Sequence, residues 1–324
     1  MVLALIGGIS ALPSLAAQQQ QKLSADAINS AEPSGKVALK SKPLLARAEI
    51  LLDQHHFSPG EIDGSEGDNF KKALAEFQRV NKLKPTGKLD QETWSLLTRN
   101  GNAPAVVDYT VRDEDVKGPF VRKIPKKMED QADLEALGYR SPLELLAEKF
   151  HMSESLLKAL NPGKSFDTAG TVLAVPNLGA PEAKGPKVAK IEIDKRSHQL
   201  RALDEDGNLI AFYPASVGSK EKPAPSGKSE VTKIARNPTY TYNPKYAFKG
   251  VHSDKKFTIK PGPNNPVGLV WIALRGEGYG IHGTPDPDHV GKTASHGCIR
   301  LTNWDALDLA SKVDRKTPVE FLEQ

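Results

Sequence analysis

A chain of 324 residues with a single cysteine, Cys298, can form no intramolecular disulfide. It also lacks the paired Cys-x-x-Cys and His-Glu-x-x-His spacings of common zinc sites. Aromatic residues make up only 6% of the chain and do not interleave with a basic stripe, so no nucleic-acid partner is expected. The formal charge of +4 is small for this length and mildly favours anionic polymers. Beyond the first seventeen residues no apolar run is long enough to cross a bilayer, and the mature protein is expected to have no membrane span. Residues 1–17, apolar and ending in Leu15-Ala16-Ala17, read as a signal peptide, so the protein is expected to be secreted to the periplasm or cell wall.

For an exported chain, one free thiol is a liability unless it has work to do. Cys298 stands in Ser295-His296-Gly297-Cys298-Ile299-Arg300, downstream of His282-Gly283-Thr284. A thiol with a pKa near its ordinary value of roughly 8.5 is only a few per cent thiolate at neutrality, so a neighbouring imidazole must take its proton or stabilise the anion. His282 and His296 are the candidate bases. His296, two residues from Cys298, shares its face in an extended segment, whereas His282 reaches the sulfur only if the fold closes the loop between them. Gly283 and Gly297 leave the backbone bare for close approach, and the amides around Gly297 and Cys298 are candidate oxyanion donors. Zinc held by His282, His289, His296 and Cys298 is the chemical alternative, and no cofactor or metal is expected because the spacing fits no short ligand pair.

Together these two segments resemble the signature of the L,D-transpeptidases of bacterial cell walls, and the resemblance extends over residues 187–324. It implies a mostly-β barrel or sandwich with Cys298 as nucleophile, His282 as general base, and the Gly283 carbonyl orienting that imidazole. His296 would shape the site. Arg300 would contact substrate, with Ser295, Gly297 and Thr284 as further substrate-binding positions. The implied reaction is attack on diaminopimelate of a tetrapeptide stem, release of D-alanine and aminolysis of the thioester by a second stem. Water or a wall-attached protein are alternative acceptors, carbapenems are the implied inhibitors, and a non-catalytic wall-binding scaffold is the reading from a different class.

The periodicity supports this architecture. Residues 190–194 alternate, 200–203 and 209–213 flank an Asp206-Gly207 turn, and 229–234, 269–274 and 319–322 are further strand candidates. Thr302 opens a Thr-x-x-Asp cap before a helix carrying Ala306, Leu309, Ala310 and Val313. The Pro- and Tyr-rich stretch 237–266 reads as a substrate-facing loop.

Upstream, residues 18–42 are polar and expected to be a disordered tether. Residues 43–100 then predict three short helices: Leu44, Leu45, Ala48, Leu51 and Leu52 on one, Phe70, Ala73, Leu74 and Phe77 on the next with Asp68 as its cap, and a third opening at Asp90 with Leu89 and Trp94 as a staple. With Phe57-Ser58-Pro59-Gly60 and Thr86-Gly87-Lys88-Leu89-Asp90 at its turns, this module resembles the three-helix peptidoglycan-binding domain, which implies glycan and stem peptides as partners. Residues 109–178 read as strand, two helices and strand, similar to a LysM-like domain. A charged stretch of roughly thirty residues is inserted after the first strand, where such a module has a short turn. The whole is expected to be multidomain, a small all-α domain, a small α/β domain and a mostly-β catalytic domain on flexible links.

Overall fold

The computed structural model describes residues 23–33, 41–99, 101, 103–179, 186–219, 222–246, 251, 253–293 and 297–323. The expected signal peptide lies outside them. Within the expected disordered tether, residues 25–29 instead form α1 (Ala25–Asn29), capped by the Ser24 side chain and burying Ile28 completely. Asn29 donates through Nδ2 to the Val106 carbonyl at 2.9 Å and accepts from the Val106 amide at 2.8 Å. A five-residue helix has too few turns for periodicity to reveal it.

Helices α2 (Lys42–Gln54), α3 (Asp68–Val80) and α4 (Gln91–Leu97) enclose Leu44, Leu52, Phe70, Leu74, Phe77 and Trp94. Gly67 is the residue that caps α3, so Asp68 enters its first turn, where a carboxylate still opposes the positive end of the helix dipole. Asp90 caps α4 by accepting from the Thr93 amide at 2.8 Å.

The middle region begins with β1 (Val106–Thr110), followed in the inserted stretch by α5 (Asp113–Lys117) and α6 (Met128–Gln131). Helices α7 (Pro142–Lys149) and α8 (Glu154–Leu160) lead to β2 (Val172–Pro176), which pairs antiparallel with β1. Its core of Leu146, Leu156, Leu157, Leu173 and Val175 is continuous with Ala46, Ile50 and Ile62 of the preceding module.

The last module runs β3 (Lys190–Asp194), β4 (Gln199–Leu203), β5 (Leu209–Pro214), β6 (Ser216–Val217), β7 (Gly227–Arg236), β8 (Tyr240–Tyr242), β9 (Phe257–Ile259), β10 (Val270–Leu274), β11 (Gly280–His282), β12 (Ile299–Arg300), α9 (Asn303–Lys312) and β13 (Pro318–Leu322). Nine of these strands form one sheet in the order β5-β4-β3-β13-β7-β10-β11-β12-β6. Its two end strands, β5 and β6, are separated in sequence by Ala215 alone, so the sheet must curl until its ends meet. Ala211 and Tyr213 from one end accordingly share a core with Val217 and Ile299 from the other. This is the expected mostly-β barrel, with Ala306, Leu309 and Ala310 of α9 packed on the same core.

The three modules are not strung on links but packed together. The Ser58 amide donates to the Phe212 carbonyl at 3.0 Å and the Phe212 amide to the His56 carbonyl at 2.9 Å, so the first module adds backbone to the edge of β5. Ser58 Oγ bonds Asp305 at 3.0 Å, His151 pairs with Asp53 at 2.9 Å and stacks on Trp304, and Asn303 Nδ2 donates to Glu148 at 3.0 Å.

Candidate active site

Parallel pairing of β11 with β12 sets Ile281 beside Ile299 and His282 beside Arg300. Because side chains alternate along a strand, Ile281 and Ile299 point into the barrel core, where both are fully buried, and His282, Cys298 and Arg300 share the opposite face. All three line one cavity of about 630 Å³, walled also by Trp271, Tyr240 and Pro266. The loop between the two sequence segments is therefore closed by a strand pair, which spacing alone could not supply.

His282 is buried, and its Nδ1 lies 2.6 Å from the Gly283 carbonyl. A carbonyl only accepts, so Nδ1 carries the proton and Nε2 keeps its lone pair. Trp271 stacks on the ring with centroids 5.5 Å apart. A Cβ on Gly283 would fall 2.2 Å from Asn303 Oδ1, so this glycine is required by the packing of α9 against the strand end, not by room for substrate. Cys298 Sγ lies 3.4 Å from the Gly278 carbonyl.

Burial dominates the electrostatics. It pushes the Cys298 thiol up to about 11, against the opposing Gly280 amide and Arg300 charge. It lowers the His282 imidazole to about 3, reinforced by Arg300 and opposed by the Gly283 carbonyl. Sulfur and ring are thus both neutral at pH 7. Arg300 holds its charge in a largely buried position, and its Nε has no hydrogen-bond partner among the described residues.

Of the other expected site residues, Gly297 precedes the sulfur with φ 94°. Thr284 is buried, accepts from the Asp286 amide at 3.2 Å and lines a neighbouring cavity that Arg300 also reaches. Ser295 and His296 lie outside the described residues. His289 lines a third, acidic cavity with Glu61 and Asp288. Sequence reasoning missed Trp271, Tyr240 and Met128, which come from a strand, the 237–266 stretch and the middle module. For Trp271 a signal existed, since it lies within the 269–274 strand candidate in a chain with three tryptophans.

A family model for the L,D-transpeptidase catalytic domain matches residues 189–321, and one for a putative peptidoglycan binding domain matches 41–97. The chain is 29% identical over 181 residues to the putative L,D-transpeptidase YkuD of Bacillus licheniformis, covering 55% of this chain and 92% of that protein. It is 32% identical over 133 residues to the putative L,D-transpeptidase YqjB of Bacillus subtilis, covering 39% and 67%. Against the probable L,D-transpeptidase YbiS of Escherichia coli it is 29% identical over 193 residues, covering 58% of this chain and 62% of that one. Among solved structures, L,D-transpeptidase 3 from Mycobacterium tuberculosis overlaps 49% of this chain and 77% of its own at 20% identity, with a TM-score of 0.35.

Proposed function

Since this chain belongs to the L,D-transpeptidase family, we propose that it remodels peptidoglycan in the periplasm or cell wall by acyl transfer through Cys298. What supports the assignment of roles is the shared sheet face of His282, Cys298 and Arg300 at a cavity mouth, with the imidazole tautomer fixed by the Gly283 carbonyl.

The reaction begins with Cys298 Sγ attacking the diaminopimelate carbonyl of a tetrapeptide stem. Its proton passes to His282 Nε2 as the C–S bond forms, because both partners are neutral beforehand. Amides around Gly297 and Cys298 receive the oxyanion. The C–N bond then breaks, the imidazolium returns the proton to the departing D-alanine amine, and a thioester remains. An acceptor amine attacks that carbonyl and gives its proton to His282, and sulfur leaves as the thiolate and is reprotonated. No redox partner or metal enters this balance. Thr284 lines the neighbouring cavity. The helical modules hold the enzyme on its polymer, the first through its peptidoglycan-binding fold and the second as a LysM-like glycan contact.

Incubation with tetrapeptide muropeptides, followed by mass spectrometry, tests this reading. Cross-linked dimers and free D-alanine are expected. Tripeptide without dimers would instead make water the acceptor, and a protein-linked product would make the chain an attachment enzyme. A carbapenem adduct of the wild type that vanishes in Cys298→Ala is also expected, and its absence from the wild type would leave a wall-binding scaffold.

A further inference from the structure

We propose that the insertion in the middle module, residues 111 to 141, is the acceptor side of the active-site cleft, where Arg122 and Lys123 hold the carboxylate of the incoming amine-bearing peptide. The inference rests on the acyl-transfer reading above.

A second cavity of about 550 Å³ shares Met128, Pro266 and Arg300 with the one that holds Cys298 and His282. The two spaces are therefore contiguous around Arg300. They differ in chemistry. The first has Trp271, Tyr240 and Val267 in its walls, whereas the second has Arg122, Lys123, Asp286 and Arg300. Acyl transfer forms the thioester in the first, so the second partner approaches from the second.

The insertion is locked against the catalytic module. The Leu137 amide donates to the Pro261 carbonyl at 2.9 Å, and the Asn264 amide donates to the Leu137 carbonyl at 2.9 Å. Asn264 Nδ2 adds a bond to the Gly138 carbonyl at 3.0 Å. Gly262 allows this approach, since a Cβ there would lie 2.1 Å from the Leu137 oxygen. The Ser253 amide donates to Glu129 at 3.1 Å, beside Met128.

The charges on this wall are uncommitted. Arg122 and Lys123 are exposed and form no ion pair among the described residues, whereas Arg140, in the same cavity, is held by Glu144 and Glu154. Arg300 adds a buried Nε without a partner. Two unpaired cations, Arg122 and Lys123, in one cavity with Arg300 and Asp286 favour an anion with an amine close to it, which is the chemistry of an amino-acid centre with a free carboxylate. In the second half-reaction that amine attacks the thioester carbonyl, its proton passes to His282, the C–N bond forms and the C–S bond breaks.

The test compares two half-reactions in the full chain carrying Arg122→Ala with Lys123→Ala. Acylation of Cys298 by imipenem, followed by intact-mass spectrometry, is expected to stay within about twofold of wild type. The KM for a diaminopimelate-containing tripeptide acceptor, at a fixed concentration of tetrapeptide donor, is expected to rise roughly fivefold, from two exposed ion pairs of ordinary strength. Arg122→Lys with Lys123→Arg should restore it, and Lys126→Ala, an exposed cation on the same segment, should leave it unchanged. An unaltered acceptor KM, or a slowed acylation step in the double variant, overturns the assignment of the insertion alone. Wild-type protein that neither acylates nor forms dimers overturns the reading of the site and the assignment with it.

Discussion

Burial does the same thing to titratable groups in two regions of this molecule, and only one of them is the proposed reaction site. On the sheet face it raises the Cys298 thiol to about 11 and lowers the His282 imidazole to about 3. In the seam between the barrel and the helical modules it raises Glu148 to about 8, and Asp305 to about 8 with Asp53 adding to the effect. The seam groups are spoken for: Asn303 bonds Glu148, while Ser58 and the Thr302 cap engage Asp305. The sheet-face groups also border an open cavity, to whose lining both Cys298 and His282 contribute. A displaced titration thus reports burial, and chemistry requires space for a substrate as well.

The largest contrast should come from the two regions' own side chains. Cys298→Ala is expected to reduce cross-linking by at least about a thousandfold, because Cys298 is the chain's only thiol, whereas Glu148→Gln should leave turnover within about twofold in the same assay. Next, His282→Ala should lower kcat by roughly 10²- to 10⁴-fold in dimer formation with intact folding by circular dichroism; a loss under tenfold would assign the base elsewhere.

Sharper still is the pH dependence of the thiol itself. With the folded pKa raised to about 11, iodoacetamide alkylation of Cys298 should accelerate about tenfold per pH unit between 7 and 9. A plateau below pH 8 would mean a preformed thiolate. The smallest effect concerns the seam. Glu148 binds its proton more tightly folded than unfolded, so folding takes up a proton between the unfolded value near 4.5 and the folded value of about 8. Stability from this group is therefore greatest below pH 4.5 and is lost as pH rises towards 8. Glu148→Gln should raise the Tm by about 2 °C at pH 8.5 and leave it unchanged at pH 4.5.

What could be read from the sequence follows the same division. Alternation at 190–194 and the Asp206-Gly207 turn specify strands because one face of each meets an apolar core, and the apolar stripe of α9 was visible for the same reason. The candidate nucleophile segment is conspicuous because a lone cysteine between histidine and arginine has few other uses. Residues 112 to 140 showed no pattern because they are held by backbone hydrogen bonds to residues 261 and 264 and by polar side chains, neither of which leaves a periodic trace. The seam escaped notice because its paired members are Glu148, Asp305, Asp53 and His151, residue types that ordinarily face solvent. His151 and Asp53 meet across 98 residues, a pairing no local window contains.

The backbone bridge between Ser58 and Phe212 governs how far this enzyme can reach. A binding module hung on a floppy leash samples any bond within the leash's radius, but one stitched to the edge of β5 works like the fixed jaw of a caliper. On the proposed function, the stretch of polymer it would grip and the stem whose bond would be broken sit at one set offset, so the mesh spacing of the wall would itself select which stems are processed.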